Sequence, residues 1–200
     1  MARYPASVTD LIRLFTMLPG VGEKTAERLT MHLVHAPVRE AESLARGILH
    51  MKDVIRLCRI CHGLSDRDIC SICENPARDK SLICVVAGIS DMAAMENSGA
   101  FRGRYHILQG LLSPVDGVGP DDIRIRELAA RVGAGGVREI ILATGATLEG
   151  DATAVYIHDR LGRYPVRISR IAAGVPIGGD LKYVDQLTLR KAMEDRHELT

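Results

Sequence analysis

The sequence predicts a multidomain α/β protein. It should carry an N-terminal helix-hairpin-helix, a four-cysteine zinc module, an α/β sheet domain and a C-terminal helical segment. Three observations predict this. Two Cys-x-x-Cys pairs, Cys58–Cys61 and Cys70–Cys73, are separated by eight residues. Before them, two helical stretches flank Leu18-Pro-Gly-Val-Gly22. After them, short apolar runs alternate with helical periodicity, the pattern of a mainly parallel sheet covered by helices.

The 200 residues leave room for one larger domain with small attachments. A net charge of +1 gives no global basic signal, so any nucleic-acid site must be local. No apolar run reaches the length of about 20 residues that spans a bilayer. No apolar run follows a basic start, so no signal peptide is expected. Five cysteines, four in metal spacing, suit a reducing compartment.

Ser7 and Asp10 are spaced as a helix cap and its partner, with Val8, Leu11, Ile12 and Phe15 following at helical spacing. Pro19 ends that helix. A second helix carries Ala26, Leu29 and Leu33 on one face. In the turn, Gly20 and Gly22 let the backbone approach a ligand. The free amides at the start of the second helix point at a phosphate. Lys24 and Arg28, four apart, add charge on one face. Such a site grips sugar-phosphate backbone and reads no bases. A plain helical hairpin is the structural alternative. A nucleotide P-loop is excluded, because Glu23 interrupts the Gly-Lys-Thr match and a helix precedes it instead of a strand. A third helix, Val38 to Met51, with Ala41, Leu44, Ala45, Ile48 and Leu49 on one face, should close a small bundle.

The four cysteines can surround one tetrahedral zinc ion. The residues between the pairs are too polar to form a core, so a metal must hold the segment together. One pair alone could be redox-active; two in so short a span point to structural zinc. His62 is a conceivable ligand that four cysteines make unnecessary. Cys84, inside Leu82-Ile-Cys-Val-Val86, reads as a buried small hydrophobe.

Strands are expected at Leu82–Ala87, Tyr105–Leu108, Arg138–Thr144 and Val166–Ile168. Helices are expected at Ile89–Asn97, Asp121–Val132 and Ala152–Leu161. The last should turn Ala154, Ile157, His158 and Leu161 inward. Ligand sites in such sheets lie at strand C-terminal ends. There stand Asp91 and, in the loop after Thr144, Glu149-Gly150-Asp151. These carboxylates could hold Mg²⁺, or Asp91 and Asp151 could cap their helices; spacing alone favours caps.

Several motifs resemble the RecR family of bacterial recombination-mediator proteins. They are Leu18-Pro-Gly-Val-Gly, the four cysteines, Arg78-Asp79, Cys84-Val-Val and Tyr105-His-Ile-Leu. Leu112-Ser-Pro-Val-Asp-Gly-Val-Gly-Pro120, Ala143-Thr144, Glu149-Gly-Asp-Ala-Thr-Ala154, Arg170-Ile-Ala-Ala-Gly174 and Pro176-Ile-Gly-Gly179 complete the set. The resemblance implies a helix-hairpin-helix over 1–53, a zinc finger over 54–80, a Toprim domain over 81–172 and a C-terminal oligomerisation segment over 173–200. It also implies cytoplasmic, nucleoid-associated work on gapped or single-stranded DNA. The partners would be RecO and RecF, helping RecA replace single-strand-binding protein. A ring-like homo-oligomer is implied, dimer or tetramer, with the tail from Ile171 exchanged between subunits; on the residues alone, packing of the tail on its own domain is an equal alternative.

Three departures from the family pattern bear on chemistry. Glu149-Gly-Asp151 stands where the Toprim pattern has a catalytic Asp-x-Asp. Ala87 stands where the Toprim pattern places a Glu that serves as general acid or base. Gly145-Ala146 replaces the usual Asn-Pro. The expectation is therefore a non-enzyme, with Asp91, Glu149 and Asp151 forming an acidic patch for a partner. A Toprim-type metal-dependent nuclease or primase is the alternative.

Overall fold

The computed structural model describes residues 4–196. The chain divides into two compact units, with the boundary between Ile55 and Arg56.

The first unit is helical: α1 (Ala6–Thr16), α2 (Glu23–His35) and α3 (Val38–Val54). α1 starts a residue before Ser7, so the Ser7–Asp10 cap is not formed. Pro5 occupies the N-cap with φ −52°, and its carbonyl accepts from the Val8 and Thr9 amides. The ring has already set the dihedral that a helix start needs, which leaves Ser7 inside the first turn. α1 and α2 pack on each other, with Ala26 and Thr30 of α2 fully buried. α3 departs from expectation. It buries no residue, and Leu44, Ile48 and Leu49 remain 48%, 53% and 70% exposed. Its apolar stripe is real, but α3 does not close a three-helix core.

The second unit begins with the cysteine module. β1 (Arg56–Leu57) pairs antiparallel with β2 (Leu64–Ser65), and α4 (Ser71–Glu74) follows. Then come β3 (Asp79–Val86), α5 (Ile89–Ser98), β4 (Gly103–Ile107), α6 (Ile125–Gly133), β5 (Glu139–Leu142), α7 (Leu148–Leu161) and β6 (Arg167–Arg170). The four long strands form one parallel sheet in the order β4-β3-β5-β6. β3 is central and reads as a continuous apolar run because both its faces are covered.

The core divides on the two sides of the sheet. One cluster joins Ile83, Val85, Ile140 and Leu142 to Leu128 and Val132 of α6 and to Ile157 and Leu161 of α7. The other joins Cys84, Val86, Tyr105 and Ile107 to the four zinc-spaced cysteines. The cysteine module is therefore part of the sheet domain's second core layer. Cys84 is buried as expected, and burial pushes its thiol up to about 12.

Three helix readings are corrected. α6 begins at Ile125, four residues after the expected Asp121, because residues 121–124 form a turn instead. α7 begins at Leu148, four residues before the expected Ala152, because Thr147 caps it by accepting from the Gly150 amide at 3.1 Å. Glu149-Gly150-Asp151 is thus the first helical turn, not a loop. His158 does not point inward with Ile157; its side chain is 67% exposed. A 3-10 turn at Leu181–Tyr183 and α8 (Gln186–Glu194) end the described chain. Among the described residues, no helix is long and apolar enough to cross a membrane.

Candidate functional site

The turn between α1 and α2 is built for close approach. Gly20 has φ +79°, which only glycine adopts without strain. Gly22 is the extended N-cap of α2. A Cβ placed on either glycine would meet nothing within 4 Å, so the backbone faces open space. Gly22 O accepts from the Thr25 and Ala26 amides, so in the first turn the Glu23 and Lys24 amides are the ones without a backbone acceptor, at the positive end of the helix dipole. Lys24 and Arg28 are both exposed on this helix. The arrangement offers amides and cations to an anion, and no base-reading groups.

Among the described residues, the four zinc-spaced cysteines are the group of side chains gathered closely enough to hold a metal ion. Cys58, Cys61, Cys70 and Cys73 are buried, and their sulfurs all lie within 4.8 Å of one another. Cys61 Sγ and Cys70 Sγ are 3.6 Å apart. A tetrahedron with Zn–S bonds of about 2.3 Å has edges of about 3.8 Å, so four sulfurs at this spacing fit one zinc ion. The Gly63 amide donates to Cys61 Sγ at 3.4 Å and the Cys70 amide to Cys58 Sγ at 3.3 Å. Such bonds stabilise thiolate. Thiol hydrogen bonding, from Cys73 foremost, draws Cys61 down to about 5, whereas burial pushes Cys70 up to about 11. A divalent cation held by Cys58, Cys61, Cys70 and Cys73 would take all four sulfurs as thiolates. His62 does not join them; its backbone is left-handed at φ +61° and its ring lies edge-on to His106.

At the C-terminal end of the sheet, the acidic residues separate into two groups. Asp91 and Glu149 line one open cavity of about 860 Å³, together with Asp116 and Asp122. Asp91 accepts from the Gly88 amide at 2.9 Å and so caps α5. Asp116 escaped sequence reasoning because it sits in a loop without periodicity, and Asp122 because periodicity assigns it to the first turn of α6, which begins only at Ile125. The two order the chain by accepting from Ser113 Oγ and the Gly119 amide. Asp151 lies elsewhere. It pairs with Arg170 at 2.6 Å and with Lys191 of α8 at 3.3 Å, and these two cations hold its carboxyl below the usual range. Ala87 lines the acidic cavity with a methyl group.

Models of known families match the chain piece by piece. Residues 8–52 match the RecR helix-hairpin-helix, 55–75 the RecR four-cysteine zinc finger domain, 81–172 the Toprim domain and 174–197 the RecR C-terminal model. The chain is 53% identical to the recombination protein RecR of Desulforapulum autotrophicum, over 98% of both chains. It is 50% identical to that of Desulfosudis oleivorans over the full length of both. The chain belongs to the RecR family. The same name is carried by a 51% identical relative from Desulfatibacillum aliphaticivorans, covering 98% of this chain and 99% of its own. RecR membership supports a role in recombinational repair. The zinc-finger match and the buried sulfur cluster together mark a zinc site.

Proposed function

We propose that this chain is a non-catalytic DNA-binding clamp of recombinational repair. It works in the cytoplasm with RecO and RecF to help RecA load on gapped or single-stranded DNA. One Zn²⁺ per chain, held by Cys58, Cys61, Cys70 and Cys73, keeps the module folded. The observation that carries the DNA reading is the open Gly20–Gly22 turn at the start of α2. It presents backbone amides to phosphate, with Lys24 and Arg28 beside it. Asp91 and Glu149, joined by Asp116 and Asp122, offer a partner such as RecO a negatively charged edge; Asp151 is already neutralised by Arg170 and Lys191.

Four carboxylates around one cavity favour a metal-dependent nuclease as the second reading. Two features weigh against it. Ala87 removes the carboxylate of the first strand, and Asp151 is neutralised outside the cavity.

The DNA reading is tested by reversing Lys24 and Arg28 to Glu and measuring affinity against several sequences over a salt series. Each reversal should weaken every sequence alike and lower the salt slope by about one. Unchanged binding in the double variant would place the grip elsewhere.

A further inference from the structure

The first cysteine knuckle is held from outside at three consecutive carbonyls. Ile60 O accepts from Arg131 Nη1 at 3.5 Å, Cys61 O from the Ile107 amide at 2.8 Å and His62 O from Gln109 Nε2 at 2.6 Å. The donors belong to α6, to the end of β4 and to the residues just after it. β4 is an edge strand, so the Ile107 amide, directed away from β3, finds its partner in the knuckle. Gln109 and His62 both hold left-handed backbone, at φ +64° and +61°, and the bond between them ties these two conformations together.

Arg131 differs from the other two donors in carrying a charge. Its Nη1 also donates to Tyr105 O of β4 at 2.6 Å, so one nitrogen bridges the sheet and the knuckle. Among the described residues it makes no ion pair with a carboxylate. A partly buried guanidinium without a counter-ion is costly. Burial, with the neighbouring charge of Arg104, lowers its affinity for the proton, and the sulfurs of Cys73, Cys61 and Cys58 oppose that fall. Zinc with four thiolates carries a formal double negative charge, and such a centre needs a nearby cation as much as Arg131 needs an anion.

We propose that Arg131 is the charge-compensating residue of the zinc–tetrathiolate centre. It acts from α6, outside the ligand loop, and ties metal retention in the finger to the sheet domain. The inference rests on the zinc reading above. That reading fails separately if freshly purified wild-type protein contains no zinc.

The test uses the full-length, zinc-loaded protein. Zinc affinity is measured by competition with a chromogenic chelator for wild type, R131Q, R131K and Q109A. The cobalt-substituted forms are compared by their thiolate-to-metal charge-transfer band. R131Q should bind zinc about 10–100-fold more weakly, the usual cost of losing an outer-sphere partner. Its charge-transfer band should move to lower energy, because the donor sulfurs lose a neighbouring positive charge. R131K keeps the charge, and Q109A removes a carbonyl clamp but no charge. Both should stay within a few-fold of wild type with the band unmoved. Wild-type affinity and an unmoved band in R131Q would overturn the proposal. So would R131K falling as far as the loss expected of R131Q, which decides the matter alone if R131Q does not fold.

Discussion

Glu96 is the meeting point of three side chains. Its carboxylate takes both guanidinium nitrogens of Arg78 in a bidentate pair and accepts from Tyr105 Oη at 2.6 Å. Arg78 also donates to the carbonyls of Phe101 and Gly103, which fastens α5 and the start of β4 to the end of the finger. The pair is mostly covered, with side-chain exposures of 11% and 24%. Arg78 holds the Glu96 carboxyl below its ordinary value of 4.5. A depressed carboxyl adds stability that is complete above the ordinary value and drains away as pH falls through the lower, folded one. Glu96→Ala should therefore cost about 3 kcal/mol at neutral pH, since it leaves Arg78 buried and unpaired. Its deficit relative to wild type should shrink below about pH 4. Chemical denaturation of both proteins at neutral and acid pH reads this directly. A deficit independent of pH would show that Glu96 acts by packing alone.

At the scale of elements, the start of α7 depends on one glycine. A Cβ on Gly150 would stand 2.0 Å from the Gly145 carbonyl oxygen, a backbone atom that has no room to yield. Gly150→Ala should destabilise by about 1–3 kcal/mol and shift the first turn of α7. Gly47 in α3 is the contrast, since nothing lies within 4 Å of its Cβ position. Gly47→Ala should stabilise by about 1 kcal/mol through helix propensity. Thermal unfolding of the two variants should show opposite signs. The same elements show what the sequence could and could not tell. Periodicity placed Ile125, Leu128, Ala129 and Val132 of α6 inward, and all four are buried. The paired spacing of the cysteines was sufficient to find the zinc cluster. What failed was non-local or depended on a competing local signal. Thr147 outcompeted the expected helix start at Ala152, and Pro5 outcompeted Ser7. The stripe on α3 was read correctly, but a stripe does not say which molecule covers it. Arg131 and Gln109 gave no signal, because their partners are carbonyls far away in sequence.

At the scale of the whole molecule, the tail is the segment on which the expectation of a homo-oligomer rests. α8 is tied to the sheet domain through Lys191 and Asp151. Its apolar side chains are poorly covered, with Leu187 58% and Met193 65% exposed; before it, Ile177 and Tyr183 are more exposed still. An ion pair at this exposure contributes on the order of 1 kcal/mol or less. Cis packing of the tail is therefore weakly held, and the apolar area it leaves in water favours burial against another copy. The exposed stripe of α3 adds a second such surface. A single helix-hairpin-helix is a weak grip, and several on one assembly raise apparent affinity through effective concentration without new contacts. Truncation after Gly174 should therefore lower both the mass in solution and the affinity for DNA, while leaving zinc content unchanged. Sedimentation and DNA titration of the truncated protein measure the two together. If mass and affinity both stay at their full-length values, the tail packs only on its own domain and multivalent grip is not how this chain holds DNA.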